Sequence, residues 1–224
     1  MSFVGVLDLW RDGQQAMSAL GRTIDDGAAE RRVPACPGWT VREVYAHQAG
    51  AAADVLAGRM DDAPSDAWTS RQVEERADRS LPEILDEWDA AAPRLVAALS
   101  AAEDQVDPRL VMDTWHHRQD VRGALGLPGE TADPVSSWVL ERSGRYLNHV
   151  TKGAELEVVL GPPPAEPVPG VLTVVAFDAA RAVVGRRSLA QIRAWSWGLD
   201  DPEPLVAAVP AFAPRPDPLV EACA

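Results

Sequence analysis

Two of the four histidines in this 224-residue chain stand where a buried histidine could do chemistry. Asp113 and His117 are four residues apart, so in a helix their side chains project from one face. Leu110, Val121 and Ala124 fall on that face and turn it inward. A carboxylate on an apolar helix face is costly to bury unless it is paired or binds a metal. His47 lies on another helical stretch, sharing a face with Val44, Ala51 and Val55. Asp113, His117 and His47 together form a two-histidine, one-carboxylate set, which suits a divalent ion with open coordination positions. Spacing alone leaves two readings: that metal set, or a buried Asp–His pair with His47 an unrelated core histidine.

The neighbouring polar residues are less telling. His116 sits about 100° round the helix from His117 and is expected at solvent or a helix boundary. His149, near the end of a later helix, is expected on the surface. Asp120, three residues beyond His117, is either an acceptor orienting a ring nitrogen or a plain surface residue. Cys36 lies in a proline-rich loop beside Trp39, with no histidine near it in sequence, and reads as a small buried residue rather than a nucleophile. With Cys223 it makes only two cysteines, too few for a disulfide framework or a cysteine-based zinc site. No G-x-S-x-G elbow, phosphate-cradling glycine loop or H-E-x-x-H pattern occurs.

The elements that must carry these residues are mainly helical. A run from about Val4 to Ala29 places Val6, Leu9, Trp10, Met17, Leu20 and Ile24 mostly at helical steps. The stretch RRVPACPGW breaks it with two prolines and a glycine. Thr40 and Glu43 form a capping box that starts the helix of His47, which runs to about Gly58. A polar connection, 59–79, leads to a second box at Ser80 and Glu83 and a helix through Ile84, Leu85, Trp88, Leu95 and Leu99. Asp107-Pro108 opens the helix of Asp113 and His117, ending near Gly126, and Asp133-Pro134 opens another to about Lys152. Four of these five helices are long enough for a bundle. Past Gly153 the β-branched runs ELEVVL and VLTVVAF flank GPPPAEPVPG, followed by a helix from about Asp178 to Trp195. The expected division is 1–152, a helical domain, and 153–224, a small α/β appendage.

Composition excludes several classes. A net charge of −13 argues against a phosphate backbone as partner. No stretch approaches 18 uncharged apolar residues, so no membrane span is expected. The start, MSFVGVLDLWRDG, carries Asp8 where a signal peptide would be apolar and lacks a basic opening. The expectation is a cytoplasmic protein acting on a small-molecule substrate, with the oligomeric state open and a homodimer one option.

VPACPGWTVREVYAHQAG resembles the signature of the maleylpyruvate isomerase-like, mycothiol-dependent family of the DinB-like metal-binding superfamily. In that family a P-C-P-G-W-[TS]-V loop leads into a helix carrying the first metal ligand, the position of His47. DTWHHRQDVRGALG resembles the family's E-x-x-x-H-R-x-D-x-x-x-A-L-G, mapping Asp113 to the carboxylate and His117 to the third ligand. GRRSLAQIRAWSWGLDDPEP is similar to a carboxy-terminal block of some members. The resemblance implies a divalent metal, usually zinc, on His47, Asp113 and His117. It also implies a DinB-like four-helix bundle, with 59–79 as the long crossover between its second and third helices. Three departures stand out: Asp113 replaces the usual Glu, Gln48 follows His47 where leucine is common, and the carboxy-terminal domain is cut down.

The implied activity is that of an isomerase or transferase. A low-molecular-weight thiol such as mycothiol would serve as metal-activated nucleophile toward an electrophilic small molecule. Arg42 or Arg118 could meet an anionic substrate. Two alternatives remain: a metal-dependent, thiol-independent catalyst of specialised metabolism, and a non-catalytic ligand-binding member of the family.

Overall fold

The computed structural model describes residues 5–222; Val4, the expected start of the first helix, and Cys223 lie outside them. Contacts divide the chain into two units, 1–127 and 128–224.

In the first unit, helix α1 spans Val6–Gly21 and buries Leu7, Leu9, Trp10 and Met17. The single helix expected to Ala29 is two, because the chain turns at Thr23. The Thr23 hydroxyl donates to the Leu20 carbonyl at 2.7 Å, and Asp25 then caps the short helix α2, Asp26–Ala29, by accepting from the Ala28 amide. The proline-rich stretch is an antiparallel hairpin, β1 (Arg32–Val33) and β2 (Cys36–Thr40). Its burial pattern has no clean alternation, so period two could not reveal it.

Both capping boxes form as expected. Thr40 and Glu43 exchange bonds at the start of α3, Val41–Ala57, which ends on Gly58 in the left-handed conformation. Ser80 and Glu83 do the same for α5, Leu81–Leu99. The connection 59–79 is not plain loop. Ser65 caps a helix inside it, α4, Asp66–Glu74, which packs on α3 and buries Trp68 and Gln72. Helix α6, Arg109–Ala124, starts where Asp107 accepts from the Arg109 amide. Helices α1 and α3 each pack against α5 and α6, which closes a four-helix bundle. Tyr45, Ile84, Leu85, Trp88, Leu95 and Trp115 fill it. Asp89 of α5 ties α1 in place by accepting from Gln14, Ser18 and Arg22.

The second unit opens with α7, Pro134–Thr151, capped by Asp133 as expected. Contacts divide the chain before α7, so this helix packs with the carboxy-terminal elements rather than falling before a 152/153 division. Strands β3 (Glu157–Leu160) and β4 (Val171–Val174) pair in parallel, and β5 (Ser196–Trp197) joins β4 antiparallel. The helix expected from 178 to 195 is again two: α8, Ala176–Val183, and α9, Leu189–Arg193. Gly185 at φ 73° ends the first, and a Ser188–Gln191 capping box restarts the second. Helix α10 covers Glu203–Ala208. Leu147, Leu172, Val174, Ile192 and Trp197 form the unit's core. The fold is therefore mainly α, a helical bundle accompanied by a small α/β region. Among the described residues no helix is long and apolar enough to cross a membrane.

Trp88 is 1 % exposed at the bundle centre, edge-on to Tyr45. Truncating it leaves a cavity that a close-packed interior cannot fill. Trp88→Ala should lower unfolding free energy by about 3–5 kcal/mol in chemical denaturation.

Candidate metal centre

His47 projects from α3 and Asp113 and His117 from α6, and the structure brings all three together. The Asp113 carboxylate lies between the imidazoles, with Oδ2 3.4 Å from His47 Nε2 and Oδ1 3.5 Å from His117 Nε2. One ligand atom from each residue lies within 4.8 Å of the other two. The histidines are 3 % and 6 % exposed, whereas the Asp113 side chain is 44 % exposed and marks the open side. Donors held about 2.1 Å from a tetrahedral zinc stand about 3.4 Å apart. Two imidazoles and a carboxylate at these separations thus fit a divalent ion, with one position or more left over.

Each imidazole is held from behind. His47 Nδ1 is 2.7 Å from Gln72 Oε1, on α4. His117 Nδ1 is 3.1 Å from Asp120 Oδ2, so Asp120 is the acceptor rather than a surface residue. It is fully buried. Bonds at Nδ1 leave the two Nε2 atoms directed at Asp113. Trp39, delivered by β2, stands 5.1 Å from the His47 ring and 5.8 Å from that of His117. Trp68 of α4 meets His47 edge-on at 6.2 Å.

Three expectations change. His116 is buried rather than facing solvent, because residues 114–121 of α6 are buried all round the helix; it packs edge-on against Trp115. Cys36 is partly exposed, and its thiol donates to Asp120 Oδ2 at 3.2 Å, the oxygen that also holds His117. The hairpin creates this neighbour across 84 residues of sequence, out of reach of any local pattern. Arg42 is engaged by Glu30 and by the Arg76 carbonyl, and Arg118 is buried, so neither presents itself as a solvated substrate clamp. His149 is exposed, as expected.

Sequence reasoning missed Gln72, which sits among polar residues without periodic signal, and Asp54, a lone acid in the alanine-rich end of α3. It noted Gln48 only as a departure from the family pattern. Gln48 Nε2 donates to Asp113 Oδ2 at 2.6 Å, and its own carbonyl accepts from the Thr114 hydroxyl.

Partial removal from water acts to raise the Asp113 pKa. In the acid range where a carboxyl titrates, the protonated imidazoles of His117 and His47, with hydrogen bonds from protonated His47 and from Gln48, outweigh this and hold the carboxyl well below the usual carboxylate range. Because the folded value lies below the unfolded one, the contribution to stability is complete above about pH 4. It is lost as pH falls through the folded value. In metal-free protein, a carbon-13 titration of Asp113 should therefore show ionisation below that of a free aspartate. Gln48→Leu should move it upward.

The family described as the mycothiol maleylpyruvate isomerase N-terminal domain matches residues 10–122. No curated protein matches the chain. Among solved structures, a histidine-to-alanine mutant of the mycothiol-dependent maleylpyruvate isomerase is similar at a TM-score of 0.50 and 16% identity. The match covers 81% of this chain and 88% of that one. At that identity the likeness speaks for the fold alone, and the match over 10–122, which includes His47, Asp113 and His117, carries the assignment. The chain belongs to the mycothiol maleylpyruvate isomerase N-terminal domain family.

Proposed function

We propose that this protein is a metal-dependent enzyme that uses a low-molecular-weight thiol, mycothiol by analogy with its relative, on an electrophilic small molecule. The observation that carries this reading is the convergence of two buried Nε2 atoms on Asp113, with both Nδ1 atoms tied back. His47, Asp113 and His117 would hold a divalent ion, zinc by its preference for this donor set, which when bound would lower the pKa of a thiol and make a thiolate available at neutral pH.

The chain's own residues do the rest. His47 and His117 present neutral nitrogen donors, and Asp113 supplies the only anionic charge among the three ligands. The Trp39 and Trp68 rings beside the imidazoles limit water around them. The half-exposed side of Asp113 is the approach for thiol and substrate. Addition of the thiol across an activated C=C bond would break its π bond and place the thiol proton on the neighbouring carbon; rotation about the resulting single bond and loss of thiol and proton would give isomerisation, and retention of the adduct would give S-transfer.

Purified protein should carry about one divalent ion per chain, zinc foremost, by elemental analysis. No uptake even after incubation with zinc overturns the proposal. In His117→Ala the metal should be lost while circular dichroism stays helical, because the apolar bundle faces supply most of the stability. Asp113→Asn should weaken zinc binding strongly, since a neutral amide replaces the one anionic ligand. Asp113→Glu should retain it. Turnover of an electrophile by the zinc-loaded protein only when mycothiol is present supports the thiol; turnover without any thiol transfers the assignment to a thiol-independent catalyst.

A further inference from the structure

We propose that Gln72 is a positioning residue that fixes the tautomer of His47, and that helix α4 within the crossover serves to deliver it. The consequence for metal binding rests on the reading above; the tautomer does not.

The argument is one of donors and acceptors. Gln72 is fully buried, as is Asp54 of α3. Gln72 Nε2 stands 2.8 Å from Asp54 Oδ2. Asp54 also accepts from Arg59 through Oδ1 at 2.7 Å, and Arg71 approaches its Oδ2 at 3.5 Å. An arginine-paired carboxylate is ionised and can only accept. The amide NH₂ of Gln72 must therefore face Asp54, which leaves Oε1 facing His47 Nδ1 at 2.7 Å. A carbonyl cannot donate, so Nδ1 must carry the proton. In the neutral ring Nε2 is then the lone-pair nitrogen, on the side of Asp113 and His117. Asp54, Gln72 and His47 thus form a directed chain from a buried carboxylate to the site.

The packing of α4 on α3 is built for this contact. A Cβ added at Gly50 would lie 2.5 Å from Gln72 Cβ and 2.7 Å from its Cγ. No real side chain tolerates such a distance, so glycine at position 50 admits the Gln72 stem. Gly50 is three residues from His47 and so lies on the same side of α3. A Gln72 serving only to fill the interior would need this space but not the orientation of its amide.

The test reads the tautomer directly. Long-range nitrogen–proton correlation on metal-free protein, at a pH where His47 is neutral, should show the proton on Nδ1. Gln72→Met keeps the volume and removes the acceptor, and should shift the population toward Nε2–H. It should also lower zinc affinity about 10- to 100-fold in chelator competition. Gly50→Ala retains the amide but displaces it, and should weaken zinc binding in the same direction. A proton on His47 Nε2 in the parent protein overturns the proposal, whatever the variants' folding. So does a Gln72→Met protein with unchanged tautomer and zinc affinity. Should the parent fail to bind zinc while His47 carries its proton on Nδ1, the metal reading falls and the orienting role of Gln72 is upheld.

Discussion

The placement of the Asp113 carboxylate between two buried imidazoles is the constraint around which the polar groups of the α3–α6 seam are arranged. Polar groups at a helix seam are tolerated only if their hydrogen-bonding capacity is met. At the α3–α6 seam the partners come from nearly every element nearby. Gln48 meets Asp113 from α3, Gln72 meets His47 from α4, and Asp120 meets His117 from α6, with the Cys36 thiol of β2 on the same oxygen. Each segment that a plain bundle could dispense with, the hairpin and the crossover helix, contributes a group to this shell.

The two histidines are held by unlike partners. An anionic carboxylate stands behind His117, while an amide stands behind His47, with the carboxylate of Asp54 one step further back. Asp54 is in turn paired with Arg59 and Arg71. Negative charge near the site is thus divided between Asp113, where it faces the donor nitrogens, and Asp120 and Asp54, where donors already surround it.

Two of the departures from the family pattern are linked in space. An aspartate at position 113 reaches less far than the usual glutamate, and Gln48 stands where leucine is common. The structure places the Gln48 amide 2.6 Å from that shortened carboxylate and anchors the amide on Thr114. A leucine there could not donate. Gln48 therefore fixes the orientation of Asp113 rather than merely filling the seam.

What the sequence by itself determined is whatever local chemistry specifies. The capping boxes at Thr40 and Ser80, the Asp-Pro starts at 107 and 133 and the shared face of Asp113 and His117 depend on neighbours within one turn, so they were legible. The pairing of His47 with that face came from combining spacing with family resemblance. Tertiary structure alone decided the hairpin, the helix hidden in 59–79, the break at Gly185 and the partners Gln72, Asp54 and Cys36. The reason is physical: Gln72 lies 25 residues from His47 and Cys36 lies 84 from Asp120. Their roles are set by which groups the packed helices leave unsatisfied, and no local period encodes that.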